Sequence, residues 1–334
     1  MAGVILGLDI GGANLKAATA DGRAASVPFA LWKQPDRLGA ALGELVARFP
    51  DAAGFAVTMT GELCDCFETK REGVDHILKA VEFASRSFSI RVWGTDGRFR
   101  GPNDARRDSL TVAAANWHAL ATFAGSYVPD GPAILIDIGS TTTDVVFIRD
   151  GVPRPTGRTD SARLKSGELI YTGVRRTPVC ALMPPGLVAA ELFATTLDAY
   201  LVLGHIPPDP ADTDTADGRP ATVACAHARL SRMLGGDPEL TSTEDTGRLA
   251  SDVVFAQSAL VAAAIERRRD RFRGGVFPPG SVVVLSGTGE FLARMAFFPH
   301  SSTDIISLAD RLGPAVAACA PAYAVAVLAT ERPA

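Results

Sequence analysis

The chain has 334 residues, and at about 150 residues per domain this length predicts two domains. Lysine and arginine number 33 against 37 acidic residues, so the formal net charge is −4. This balance excludes a basic coat for nucleic acid, although it allows a local basic pocket. Apolar residues at 47% and charged residues at 21% are ordinary values for a soluble globular protein.

The cysteines and the N-terminus indicate the cell compartment. Five scattered cysteines do not form the pattern of a disulfide framework. The N-terminal residues lack the basic region of a signal peptide. Residues 312–330 carry no charge but contain two prolines and many alanines, which predicts a buried helix rather than a membrane span. We therefore expect a cytoplasmic protein with no membrane partner and no nucleic-acid partner.

An internal repeat organises the chain. Residues 4–22 read VILGLDIGGANLKAATADG and residues 133–151 read AILIDIGSTTTDVVFIRDG. Each is an apolar run that ends in Asp-Ile-Gly, a small polar loop, a second apolar run and an Asp-Gly pair. Both positions of an Asp-Gly turn favour positive φ, so each segment predicts a β-hairpin that continues into a third strand. The repeat predicts two similar domains, residues 1–129 and 130–334, each opening with a β-meander.

The remaining elements follow in chain order from hydrophobic spacing. We predict helices over residues 36–49, 71–86 and about 103–124, strands over 54–58 and 90–93, and a domain boundary near 127–132. In the second half we predict extended chain over 161–171, helices over 186–203, 222–234 and 244–273, a polar loop over 207–220 and a strand over 281–285. Strands precede helices in both halves, which indicates an α/β fold with mixed sheets. The final helix, residues 312–330, could fold back onto the first domain.

The first loop of the repeat has the composition of a phosphate site. Backbone amides of Gly11, Gly12, Ala13 and Asn14 can converge on an anion because the glycines lack a Cβ. Lys16 adds a positive charge for a phosphate or a leaving group. Asp9 alone would repel phosphate, so its position predicts a divalent cation, for which Mg²⁺ is suited. The alternative is a glycine turn that only closes the hairpin.

The second loop offers the same turn with four hydroxyl groups. Its predicted phosphate-binding residues are Gly139, Ser140, Thr141 and Thr142. Asp137 is the matching metal-binding candidate, and Asp144 is the second acid of the loop. A third glycine-rich turn, with Gly287, Thr288 and Gly289, follows the strand at 281–285 and enters a helix, where phosphates commonly bind.

These motifs together carry a resemblance to known proteins. Two Asp-bearing loops and a late Gly-rich turn resemble the superfamily of actin, sugar kinases and Hsp70 chaperones. The segments TMTGELCDCFETKREGV at 58–74, SGELIYTGVRRTP at 166–178 and TADGRP at 215–220 are, with DIGGANLK and DIGSTTTD, similar to hydantoinase/oxoprolinase-like proteins of the tetrahydromethanopterin-linked one-carbon pathway. The resemblance implies two ribonuclease-H-like domains with mixed sheets and a central cleft.

The resemblance also implies an activity, because archaeal members of the family include a synthase of methanofuran biosynthesis. That activity is transfer of a furan-methyl group from its diphosphate to the phenol of a tyramine- or tyrosine-type acceptor. An aryl ether forms and pyrophosphate leaves, with Mg²⁺ bridged by Asp9 and Asp137. The alternative is an ATP-dependent small-molecule kinase or amidohydrolase, and only that alternative needs ATP. A nucleotide-gated binding module is a third, non-catalytic option. A homodimer remains possible.

A phenol with a pKa of about 10 needs a general base near neutral pH. In kinases of the superfamily that the chain resembles, the acid after the corresponding strand is the catalytic base. The resemblance therefore implies that Glu62 or Asp65, after the strand at 54–58, is the candidate; Asp144 is a third, and the alternative is a capped surface loop. Candidate substrate-binding residues are Thr60, Lys70, Arg71, Arg163, Tyr171, Arg176, Asp217 and Arg219, some of which could instead form structural ion pairs. Cys64 and Cys66 suggest partly buried thiols rather than a metal site.

Overall fold

The computed structural model describes residues 3–85, 88–269, 280–296 and 304–332. The predicted helix ends at residue 86 and at residues 270–273 lie outside these ranges. The described chain forms two mixed sheets, each flanked by helices, and this confirms the α/β class with two similar halves. The division at residue 129 stays a prediction, since elements late in the chain pack on the first half.

The first half is built on a six-stranded sheet in the order β3-β2-β1-β4-β5-β6. Its strands are β1 (Val4–Ile10), β2 (Asn14–Thr19), β3 (Ala24–Pro28), β4 (Ala52–Met59), β5 (Ser89–Trp93) and β6 (Phe99–Arg100). Its helices are α1 (Leu38–Val46), α2 (Lys70–Ser85), α3 (Pro102–Arg107), α4 (Ser109–Val112) and α5 (Asn116–Gly125), with 3₁₀ turns at Leu31–Lys33, Pro35–Arg37 and Gly61–Leu63. Helices α1 and α2 cover one face because their apolar sides bury Leu42, Ile77 and Val81 against β1 and β4.

The second half repeats this plan with the order β10-β8-β7-β11-β12, and β9 also pairs with β8. Its strands are β7 (Pro132–Ile138), β8 (Thr143–Arg149), β9 (Val152–Pro153), β10 (Leu169–Ile170), β11 (Val282–Ser286) and β12 (Asp304–Ser307). Its helices are α6 (Asp160–Ser166), α7 (Thr196–Val202), α8 (Val223–Met233), α9 (Thr243–Arg269), α10 (Glu290–Ala296), α11 (Leu308–Leu312), α12 (Pro314–Ala317) and α13 (Ala320–Glu331), with a 3₁₀ turn at Val179–Ala181.

The repeat appears as matching sheet geometry in the two halves. β1 pairs antiparallel with β2 and parallel with β4, and β7 pairs antiparallel with β8 and parallel with β11. The second Asp-Gly turn has positive φ at both positions, 51° at Asp150 and 72° at Gly151. In the first turn only Gly22 does, with φ of 92°. Both Asp-Ile-Gly loops therefore lie at the same place in their sheets.

The last helix connects the two halves. α13 packs on β1, β2, β4 and α5, and Gly7 of β1 lies so close that an added Cβ would lie 1.9 Å from the carbonyl oxygen of Ala322. Only glycine permits that approach. α13 and α5 share an apolar layer with residues of both sheets, including Trp117, Leu135 and Val325. The predicted Ala-rich helix is confirmed, although it is divided into α12 and α13.

One helix in the described part, Thr243–Arg267, is by length and composition apolar enough to cross a membrane. Buried helices of soluble proteins have the same composition, so this criterion is weak. Val253, Gln257 and Val261 of this helix are fully buried in the core of the second half.

Three sequence predictions of secondary structure are wrong for local reasons. The helix predicted over 103–124 is divided into α3, α4 and α5, because the backbone leaves the helical region at Asp108 and reaches a φ of 47° at Ala114. Residues 161–171 are not extended throughout: the Thr159 hydroxyl accepts from the Ala162 amide and starts α6, which Gly167 ends with a φ of 74°. The helix predicted over 186–203 is only α7, which begins where Asp198 accepts from the Thr195 amide.

Candidate active site

The first Asp-Ile-Gly loop places an aspartate opposite a lysine. At the end of β1, Asp9 lies in register with Lys16 on β2 and with Thr58 on β4. Asp9 is only 5% exposed, and its Oδ1 has no hydrogen-bond partner among the described residues. Burial raises the pKa of Asp9, while the charge of Lys16 acts to lower it. The loop therefore presents a buried carboxylate that has one oxygen free for a ligand.

The second loop pairs two acids. Asp137 at the end of β7 lies in register with Asp144 on β8 and with Ser286 on β11. Burial and the neighbouring Asp144 raise the pKa of Asp137 to about 7, although the Ser286 hydroxyl acts to lower it. Lys16 lowers this pKa and Asp9 raises it, so the charges of the first loop act on the second. The two loops thus face one electrostatic environment.

The loop backbones have the same tight turn. The Gly11 amide donates to the Asn14 carbonyl at 3.0 Å, and the Gly139 amide donates to the Thr142 carbonyl at 2.9 Å. The predicted phosphate-binding residues Gly12, Ala13, Ser140 and Thr141 lie between these ends and are partly exposed. The turns therefore leave amide and hydroxyl groups accessible at both loops.

Two further segments fix the second loop in place. Gly289 donates to the Ile138 carbonyl at 2.9 Å, and an added Cβ at Gly287, whose φ is 86°, would lie 2.2 Å from the same oxygen. The third Gly-rich turn is thus in direct contact with the second loop, with Thr288 exposed beside it. On the other side, Gly173 lies where an added Cβ would be 2.5 Å from the Ser140 carbonyl carbon. Both contacts require glycine.

Glu62 is the strongest candidate for a general base. It lies in the 3₁₀ turn after β4, is 1% exposed, and neither carboxylate oxygen has a hydrogen-bond partner among the described residues. An added Cβ at Gly73 of α2 would lie 2.4 Å from the Glu62 carbonyl oxygen, so the helix packs directly over the turn. Burial raises the pKa of Glu62 to about 7, although the charge of Lys70 opposes the rise. Such a pKa suits proton transfer near neutral pH.

Lys70 connects Glu62 to the second half. Its Nζ lies 3.6 Å from Glu62 Oε1 and 2.5 Å from Oδ2 of Asp160, which is the first residue of α6. Burial lowers the pKa of Lys70, but the two carboxylates outweigh burial and raise it. Tyr171 belongs to the same group, because its raised pKa reflects burial and then the charges of Asp160, Lys70 and Glu62. The Tyr171 side chain is half exposed.

A second contact joins the halves nearby. The Arg176 guanidinium lies 4.9 Å from the centre of the Trp32 ring, a cation–π distance. The amides of Arg175 and Arg176 both donate to the Ser140 carbonyl at 3.0 Å. Arg176 thus lies between the second loop and the first half of the chain.

Arg163 forms a buried ion pair beside the second loop. It is 1% exposed, its Nη2 donates to Asp144 Oδ1 at 2.7 Å, and its guanidinium lies 3.8 Å from the Trp117 ring centre. Of its two predicted roles, the structural ion pair is the one observed. Burial raises the pKa of Asp144 and Arg163 opposes the rise, so Asp144 is an ion-paired acid rather than a free base.

Asp217 and Arg219 also form ion pairs. Asp217 Oδ2 accepts from Arg219 Nε at 2.7 Å, and its Oδ1 accepts from the buried Arg229 at 2.9 Å. Burial raises the pKa of Asp217, but both arginines outweigh it and hold the pKa at about 2. Arg229 also binds Asp198 of α7, which ties this loop to the core of the second half. Substrate contact by either residue stays a prediction.

The other predicted residues have varied surroundings. Asp65 and Arg71 are exposed, and Thr60, whose amide donates to the Ile10 carbonyl, is partly exposed beside the first loop. Cys64 and Cys66 are partly buried free thiols, as predicted. No group of three or more His, Cys, Asp or Glu side chains in the described ranges has the arrangement of a metal site.

Sequence reasoning missed Asp160, and it gave no role to Thr58 or Ser286 although both lie in the motifs that it singled out. Thr58 and Ser286 are the register partners of the two loop aspartates. The repeated Thr-Gly-Glu at residues 60–62 and 288–290 is the sequence signal that could have aligned them. Asp160 had a weaker signal, the Thr-Asp pair at the start of an unrecognised short helix.

The chain also has an open groove of about 430 Å³ outside this arrangement, lined by residues that include Leu187, Leu234 and Leu240. It contains none of the predicted site residues. The candidate site is therefore defined by its buried charges and loops.

Comparison with known proteins gives the family. The family model of hydantoinase/oxoprolinase matches residues 54–332. A relative in Methanocaldococcus jannaschii, named (4-{4-[2-(γ-L-glutamylamino)ethyl]phenoxymethyl}furan-2-yl)methanamine synthase, is 32% identical over 340 residues, covering 98% of each chain. A relative of the same name in Methanococcus vannielii is 30% identical over 209 residues, covering 60% of this chain and 91% of its own.

Among solved structures, nucleotide-free acetone carboxylase matches with a TM-score of 0.54 at 13% identity over 97% of this chain and 70% of its own. An archaeal actin homologue in complex with ADP matches with a TM-score of 0.44 at 15% identity, over 98% of this chain and all of its own. Acetone carboxylase therefore shares its fold with nearly the whole of this chain. With its family model matched over most of its length, the chain belongs to the hydantoinase/oxoprolinase family.

Proposed function

We propose that this protein is a transferase of methanofuran-type cofactor biosynthesis. It joins a furan-methyl diphosphate to the phenol of a tyramine- or tyrosine-type acceptor as an aryl ether and releases pyrophosphate. The name shared by the two relatives supports this reaction class. One of them matches over 98% of both chains, which supports the same activity in this protein. The observation in the structure that carries the proposal is the buried, unbonded carboxylate of Glu62 beside Lys70.

The reaction breaks the bond between the furfuryl carbon and the diphosphate oxygen, and the electron pair leaves with pyrophosphate. The loop amides, the hydroxyls of Ser140 to Thr142 and the Lys16 ammonium are suited to bind and neutralise that leaving group. The free Oδ1 of Asp9 and the carboxylate of Asp137 fit a hard cation such as Mg²⁺. Without a cation, these two carboxylates repel each other. When bound, Mg²⁺ would supply charge neutralisation for the departing diphosphate.

The phenol oxygen forms the new bond to the furfuryl carbon and must lose its proton. Glu62 accepts this proton, since its pKa of about 7 leaves it ionised at slightly alkaline pH yet basic enough to share the proton as the bond forms. Asp144 is less suited because it already pairs with Arg163, and Asp65 is exposed to solvent. Lys70 and Tyr171 lie beside Glu62, so in this proposal they border the acceptor phenol.

The test supplies a furfuryl diphosphate, tyramine or tyrosine, and Mg²⁺, and measures both pyrophosphate and the aryl ether. Equal amounts of the two products without ATP support the proposal. Asp9→Asn and Asp137→Asn should each reduce turnover by about 10²-fold, the scale for loss of a charge-stabilising group. Unchanged turnover in both variants would contradict the role of these carboxylates.

The family description favours one alternative, an ATP-dependent amidohydrolase. The same assay separates it, because ADP released with ATP and an amide substrate would replace the ether. ADP released with a small alcohol would indicate a kinase instead. Either result would overturn the transferase proposal.

A further inference from the structure

Asp160 is a charged residue of the site that the proposed mechanism does not use. It is the first residue of α6 in the second half, and its carboxylate binds the Nζ of Lys70, the first residue of α2 in the first half, at 2.5 Å. The two residues are separated by 90 positions in sequence. Their side chains are mostly buried, 17% exposed for Asp160 and 25% for Lys70. This is therefore a partly desolvated ion pair between the two halves, and not a screened surface pair.

The pair has a geometric consequence for Glu62. Lys70 is the cation that pairs with the Glu62 carboxylate in the described part of the chain, yet its Nζ is 3.6 Å away, too far for a hydrogen bond. The same ammonium is at hydrogen-bond distance from Asp160. The Lys70 ammonium thus interacts with two carboxylates, and its interaction with the buried Glu62 is weaker than its interaction with Asp160.

We propose that Asp160 is a positioning residue, which holds the Lys70 ammonium away from Glu62 and so keeps the Glu62 carboxylate available to accept a proton. The inference rests on the proposed function, since it takes Glu62 as the group that accepts the phenolic proton. It adds that Glu62 acts as a base only when Asp160 of the second half is paired with Lys70 of the first half. Proton acceptance is thereby coupled to the contact between the two halves.

The charges around Glu62 agree on the direction of this effect. Lys70 on α2 lowers the Glu62 pKa and Asp160 on α6 raises it. Cys64 and Tyr171, the other titratable groups that sense Glu62, have raised pKa values and are neutral at pH 7 to 8. Without Asp160, Glu62 would lose a repelling charge and gain the whole of Lys70. Both changes would make the carboxylate a weaker base.

The experiment measures Glu62 directly and then in the reaction. The full chain is labelled with ¹³C at glutamate carboxyl groups, and Glu62→Gln identifies the Glu62 resonance. We expect the titration midpoint to fall by about one pH unit in Asp160→Asn, the usual size of such a charge effect. It should return towards the wild-type value in Asp160→Glu. Lys70→Met should raise the midpoint, and this second variant tests the inference should Asp160→Asn not fold.

The matched control is Lys79→Gln, which breaks the exposed pair between Lys79 and Asp75 on the far part of α2 and should leave the midpoint unchanged. In the ether-forming assay, the acidic limb of the kcat profile should shift in Asp160→Asn by the same amount as the midpoint. A merely structural role would lower kcat at every pH and leave the limb in place, which would overturn the inference. A shifted midpoint in a protein that makes no ether would overturn the proposed function and support control of Glu62 by Asp160.

Discussion

The two halves of the chain contain the same Thr-Gly-Glu turn and use its carboxylate in opposite ways. Thr58 and Ser286 pair with the loop aspartates, and four residues later come Glu62 and Glu290. Glu290 accepts from the Ser307 hydroxyl at 2.6 Å and from the Ala309 amide at 3.2 Å, and so fixes the start of α11. Glu62 has no such bonds. An unbonded buried carboxylate destabilises a fold, so the first half has a cost in stability that the second half lacks. This difference supports the proposed role of Glu62 as a general base.

The register pairs differ in the same manner. Asp9 opposes Lys16, whereas at the matching position Asp137 opposes Asp144. The second half balances its extra acid with Arg163, buried on the Trp117 ring. The repeat thus preserves backbone geometry but not charge. One loop contains its own cation, and the other depends on a cation from a separate helix.

The largest expected effect separates the two glutamates. Glu62→Gln should reduce ether formation by about 10³-fold, within the usual range for loss of a general base. Its free energy of unfolding at pH 8 should be equal to or above that of the wild type, because the buried charge is gone. Glu290→Gln should instead lower that free energy by about 1–2 kcal/mol through its weakened hydrogen bonds. Turnover assays and urea unfolding of both variants test this. If the two variants had the same turnover and the same free energy of unfolding, the proposed difference between Glu62 and Glu290 would be wrong.

The next effect concerns the balancing cations. Arg163→Met leaves Asp144 buried without its partner and should lower the free energy of unfolding by about 3 kcal/mol. Lys16→Met, at a partly exposed side chain, should change stability by less than about 1 kcal/mol and reduce turnover instead. Denaturant unfolding measures both. The double variant Arg163→Met/Asp144→Asn should recover part of the loss, and its failure to do so would mean that packing on Trp117 dominates.

Much of this comparison was accessible from sequence, and the reasons for the rest are physical. Asp-Ile-Gly and Asp-Gly fix local backbone geometry, so the repeat predicted both loops and their sheets. The position of Glu62 after β4 followed from the resemblance. The contact of Asp160 with Lys70 could not be predicted, because Lys70 lies 90 residues away and the seven-residue helix α6 depends on one cap and one glycine. The burial of Arg163 was equally hidden, since an arginine on a short helix gives no sign of the ring beneath it.

A smaller effect tests the repulsion within the second loop. The folded-state pKa of Asp137, about 7, exceeds the value of about 3.9 for an unfolded chain. Between these values the native state keeps a proton that the unfolded chain has lost, so Asp137 lowers stability as pH rises from 4 to 7. Asp137→Asn should therefore gain stability across this window, reaching about 2 kcal/mol because water screens part of the repulsion. Unfolding in EDTA at several pH values measures the gain.

Asp9→Asn is the matched variant in the first loop. Its gain should be smaller, because Lys16 already opposes the charge of Asp9. A gain equal to that of Asp137→Asn would show that burial, and not Lys16 or the opposing acid, dominates in both loops. A gain that does not grow with pH would contradict the raised pKa of Asp9.

The smallest effect concerns the residues just before Lys16 and Asp144. Leu15 is a fully buried apolar residue, whereas Thr143 at the matching position donates its hydroxyl to the Thr172 carbonyl at 2.8 Å. Thr143→Val should lower the free energy of unfolding by about 1 kcal/mol, the usual value of one buried hydrogen bond. Thr142→Val, at a partly exposed hydroxyl of the same loop, should leave stability within about 0.5 kcal/mol. Gln257 also donates to Thr172 Oγ1 and to the Gly173 carbonyl, both at 2.8 Å. An unchanged Thr143→Val protein would therefore mean that the hydrogen bonds of Gln257, Thr177 and Thr196 to this segment are enough to hold Gly173 against the second loop.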